Sequence, residues 1–164
     1  MQFLCSKHRH WLENHPEHAR ACWEKWMQQG YSAMDNHEWK TAISYFGCSY
    51  ELSEIRLKQI GSGHEIHPFN PVDQIMVSGH LLASCLGHAG ESEQERHFLI
   101  AVHYHLVNAA QKPGCQPHLK KNVELSMIML QRHCRLHGEF GGMSACFKQT
   151  KTVLESPAPS PGIH

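Results

Sequence analysis

Apolar and small residues recur along this chain at intervals of three and four, the spacing that lines one face of an α-helix. Ala19, Cys22, Trp23, Trp26, Met27, Gly30, Ala33 and Met34 form the first such stripe. Pro16 opens that helix, where its missing N–H is harmless, and Asn14 is the candidate N-cap. Residues 1–15 form an unassigned N-terminal segment. Asp35 and Glu38 have capping-box spacing and predict a second helix start. Trp39, Ala42, Ile43, Phe46, Cys48, Tyr50, Leu52 and Ile55 carry that helix on to Gly61-Ser62-Gly63. His67-Pro68 and Asn70-Pro71 extend the loop. Further helices are predicted over 72–86, 91–111, 117 to about 138, and 143–155, separated by Gly87 to Gly90, by Lys112-Pro113-Gly114 and by Gly141-Gly142. No useful length alternates with period two. The reading is all-α: about six helices in three antiparallel hairpins, with residues 1–155 as one domain. Residues 156–164 read as a disordered Pro/Ser-rich tail.

Helix pairs of similar length invite comparison with helical repeats. Over residues 23–56, Trp26 and Gly30 take the first-helix positions of a tetratricopeptide pattern. Trp39, Ala42 and Phe46 take the second-helix positions, and Ser49 the small position that follows. Glycine and alanine allow close helix approach, and the aromatic rings fill the space beside them. The segment resembles a tetratricopeptide repeat. Leu82, Ala83 and Leu86 with Phe98, Ala101 and Val102 echo it across a longer connection. Residues 117–154 keep only the hairpin outline. The resemblance implies hairpins stacked as a short right-handed superhelix, with a concave face of first helices that docks a peptide or partner helix. On that face it exposes Met27, Tyr31 and Met34, side chains suited to adaptable apolar recognition.

Composition narrows the partner. Lys+Arg and Asp+Glu balance at 15 each, which gives no basic field for a phosphate backbone and argues against nucleic acid. No apolar run reaches the roughly 18 residues of a membrane span, and residues 1–11 hold too short an apolar stretch for a signal peptide. The seven cysteines are scattered and odd in number, with no C-x-x-C, which fits reduced thiols in a cytoplasm. A degenerate array without polar caps also invites burial of its end faces in a homodimer.

Histidine is the outlier, with 16 residues. Four pairs have C-x-x-H spacing: Cys5/His8, Cys85/His88, Cys115/His118 and Cys134/His137. On a helix this spacing puts both side chains on one face. A structural zinc site takes four ligands, so two pairs must converge, and Cys5, His8, Cys134 and His137 are the candidate set. His97, His103 and His105, with His80 and His88, are candidates to line a groove. No HExxH, nucleophile elbow or phosphate-cradling glycine loop is present. The leading expectation is an adaptor or chaperone-like scaffold without a cofactor. The alternative is a His/Cys metal-binding protein or metal-dependent enzyme, with zinc as its metal.

Overall fold

A computed structural model describes residues 1–60, 70–112 and 117–156. Every regular element among them is helical: α1 (Ser6–Asn14), a 3-10 turn (Pro16–His18), α2 (Ala19–Asp35), α3 (Trp39–Ile60), α4 (Pro71–His88), α5 (Ser92–Ala110), α6 (Pro117–His137) and α7 (Met143–Glu155). The helices fall into two compact units, Met1–Phe98 and Leu99–His164, with the boundary inside α5.

The described residues hold seven α-helices where the pattern predicts about six. The addition is α1, which buries only Leu12 and so leaves almost no periodic stripe to read. Asn14 closes α1 instead of capping the next helix, its side-chain amide donating to the His10 carbonyl at 2.7 Å. Pro16 does open a helical turn, but a 3-10 one that precedes α2. The Asp35/Glu38 capping box does not form. Asp35 still belongs to α2, and the chain reverses through Asn36, His37 and Glu38. His37 takes a left-handed φ of 59° in that turn, and the Glu38 carbonyl accepts the Ala42 N–H at 2.9 Å. Asn70-Pro71 is a helix start and not loop: the Asn70 side chain accepts the Val72 N–H at 2.9 Å, with Pro71 in the first turn. The expected breaks at 61–68 and 113–114, and the tail beyond residue 156, lie outside the described residues.

Residues 23–56 fold as a helical hairpin of α2 on α3. Gly30 makes it close. A β-carbon there would stand 2.5 Å from Phe46 Cε1, so Phe46 lies directly against the α2 backbone. Ala42 and Phe46 are fully buried. Trp26 packs on a cluster of Leu4, Leu12, Ala19, Leu52 and Ile55. Trp39 goes elsewhere, stacking on His88 of α4 with ring centroids 4.5 Å apart. The other long face of α3 packs on α4, where Arg56 donates to the Gln74 side chain at 2.8 Å. Burial lowers the Arg56 pKa.

The N-terminal strap is pinned to α3 by a buried carboxylate. Glu51 accepts the Phe3 and Leu4 backbone N–H groups at 2.8 and 3.0 Å and pairs with Arg9 at 3.0 Å. A strap with no ladder of its own thereby satisfies two donors that burial would otherwise strand. One turn before Glu51, Gly47 leaves a seat for the Phe3 ring: a β-carbon there would come within 2.2 Å of it. Phe3 and Tyr50 both pack on Phe98.

Candidate docking groove and histidine sites

In the second unit, α7 packs on α6. The buried stripe of α6 runs through Leu119, Val123, Ser126, Met127, Leu130 and His133, at the three-and-four spacing of an inward face. Its outer flank is also apolar. Ile128 is 53% exposed, and Phe147 of α7 is 43% exposed. Between them lies an open groove of about 490 Å³, lined by Met127, Ile128, Phe147 and Leu154 and rimmed by Glu124, Lys151 and Glu155. Lys151 and Glu155 sit 3.7 Å apart, one turn along α7. The smaller recess of the first unit, about 210 Å³ beside Arg9, Glu13 and Lys58, is largely charged at its rim.

Thr150, on the groove floor, leads to a buried histidine. His103 is 1% exposed. Its Nδ1 lies 2.6 Å from Ser126 Oγ of α6, and its Nε2 lies 3.0 Å from Thr150 Oγ1 of α7. Both hydroxyls also reach backbone carbonyls, Ser126 to Val123 at 3.0 Å and Thr150 to Cys146 at 2.8 Å. A neutral imidazole has one N–H, so it donates to one hydroxyl and accepts from the other, whose single proton then serves the ring in place of its backbone carbonyl. Burial pushes His103 down to about 4, against a smaller upward pull from the Cys146 backbone. A proton-poor ring held between two hydroxyls, beneath a helix pair, joins α5, α6 and α7. It is a poor general base at neutral pH.

The expected docking face of α2 is only partly available. Met27 is 4% exposed and belongs to the interior, because the α2 stripe of Met27, Gly30 and Ala33 faces the core. Tyr31 is 41% exposed, its ring meeting Phe46 edge-on at 5.5 Å. Met34 is half-buried.

The C-x-x-H pairs have different surroundings. Cys5 Sγ lies 3.3 Å from His8 Nδ1 at the exposed start of α1, in the first unit. Cys134 and His137 lie in the second unit, where the Cys134 thiol points to Met143 Sδ at 3.7 Å. Cys85 is buried, which pushes its thiol up to about 11, and its partner His88 stacks on Trp39. Cys115 is outside the described residues. Of the proposed α5 groove histidines, His103 turns inward, whereas His97 is exposed and meets Phe98 edge-on. Sequence reasoning missed the imidazole pair of His133 and His137, the Trp11 stack on His15 and His18, and the α6/α7 groove. The groove had one legible sign: Ile128 is apolar but lies off the α6 stripe.

No helix among the described residues is long and apolar enough to cross a membrane. No protein-family model matches the chain, and no curated protein or solved structure matches it.

Proposed function

We propose that this chain is a protein-interaction module, an adaptor or chaperone-like scaffold, that receives an amphipathic partner helix in the α6/α7 groove. The observation that carries this reading is the exposed apolar flank of Ile128 and Phe147 over a floor of Met127 and Thr150. A groove between two helices accepts a third through anchors at i, i+3 or i+4, and i+7. Glu124 and Glu155 outnumber Lys151 at the rim, so the favoured partner carries Lys or Arg beside its apolar stripe. The tetratricopeptide-like arrangement belongs to the same proposal. Its support is the α2–α3 hairpin closed by Gly30 on Phe46. Tyr31 and Met34 are the residues that remain for a second contact face. The six described cysteines are free thiols, which supports a cytoplasmic setting.

The test is selection of helical peptides from a random amphipathic library against the full chain. Basic peptides with an apolar stripe are expected. Ile128→Glu combined with Phe147→Glu should weaken their binding by at least tenfold, with helical content unchanged. Peptides that bind the double variant as well as the parent remove the groove from the proposal. Loss of binding on Tyr31→Glu alone moves the docking face to α2. A doubled mass in solution that reverts to monomer in the groove variant makes a second copy the occupant.

A further inference from the structure

The last turns of α6 carry ligand chemistry that the docking groove does not use. His133 and His137 are four residues apart, so the helix sets them on one face a turn apart. Their ring centroids are 4.7 Å apart with the planes 35° from parallel, and their ligand nitrogens lie within 4.8 Å of one another. His133 is 4% exposed, its ring fixed by the packing around it, whereas His137 is exposed. The spacing of the sequence pairs His137 with Cys134, but that thiol is turned to Met143. The second imidazole beside His137 is therefore His133.

We propose that His133 and His137 bind a divalent transition-metal ion, zinc foremost, through one nitrogen of each ring, with water among the remaining ligands. Imidazole is a borderline donor that suits zinc, copper and nickel and disfavours magnesium and calcium. Two zinc–nitrogen bonds of about 2.0–2.1 Å each are within reach of nitrogens that lie within 4.8 Å of one another. Rotation of the exposed His137 side chain adjusts the fit, and the buried His133 provides the fixed half. No electron or proton transfer within the protein is required. The ion bridges one helical turn near the end of α6 and so stabilises it against fraying.

The experiment uses the full chain purified without an affinity tag, titrated with zinc chloride. Calorimetry reads the stoichiometry and thermal unfolding reads the shift in Tm. One tight equivalent and a rise of several degrees are expected. His137→Gln should weaken that equivalent at least tenfold and abolish the rise. His8→Gln, in the exposed Cys5/His8 pair, should leave both intact. His133→Gln should match His137→Gln if it folds, and His137→Gln carries the test alone if it does not. A parent chain that takes up no zinc overturns the proposal, as does a His137→Gln variant that keeps the parent's equivalent. Equal losses in His8→Gln and His137→Gln also overturn it, in favour of a four-ligand site drawn from both Cys/His pairs.

Discussion

Single side chains decide how the first unit closes. Glu51 holds two strap N–H groups and the Arg9 guanidinium, and Gly47 gives the Phe3 ring its seat. Gly47→Ala should cost about 1–3 kcal/mol, because the added methyl overlaps the half-buried Phe3 ring. The check is chemical denaturation, together with faster hydrogen exchange at Phe3 and Leu4. Glu51→Gln keeps the shape and removes the charge, with an expected loss of about 1–3 kcal/mol from the weakened charge-assisted bonds. An unchanged denaturation midpoint in both variants would show that the strap contributes nothing to stability. Neither residue's role is legible in the sequence. Gly47 stands inside a helical stripe, where a glycine hints at close approach but not at what approaches. Glu51 resembles any solvated helix glutamate until the strap folds over it. Gly30 was legible, because a glycine three and four residues from Met27, Trp26 and Ala33 must sit on the packed face.

Helix pairs are the scale at which the pH response arises. In the second unit, α5, α6 and α7 meet at His103 through the Ser126 and Thr150 hydroxyls. Burial lowers its pKa from 6.5 to about 4, so the unfolded chain takes up this proton at higher pH than the folded one. The stabilising contribution is complete above about pH 6.5, declines as pH falls towards 4, and is gone below that. Its size is on the order of 3 kcal/mol. His103→Gln keeps a hydrogen-bonding side chain that does not titrate. Denaturant midpoints for parent and variant should therefore converge as pH falls from 6.5 to 4. Parallel curves across that window would remove His103 as their source. At this scale the sequence reads well where a stripe is broad and poorly where it is thin. The residues of α7 follow from its pattern, and α4 was displaced by only a residue or two at each end. The short α1 was missed because one buried leucine makes no periodicity. The outer apolar flank of α6 became a groove only once α7 crossed beside it.

Across the whole molecule, the balance of 15 basic and 15 acidic residues leaves histidine as the group whose titration changes the net charge near neutrality. The sequence displays that abundance but not its placement. Identical residues finish as a buried peg at His103, an imidazole pair at His133 and His137, and ring stacks in the first unit. Only tertiary packing separates these fates. The stacks have an optical consequence. Trp11 lies face to face with His15 and His18, at centroid separations of 4.9 and 5.2 Å, and Trp39 lies on His88. An imidazole stacked on an indole alters that indole's surroundings and with them its emission. Two of the four tryptophans are therefore built-in reporters. Removing one stacked imidazole should change the intrinsic fluorescence while far-ultraviolet circular dichroism holds steady. His88→Gln should change the Trp39 share of the emission and leave the Trp11 share, so that each end of the first unit can be followed by light alone.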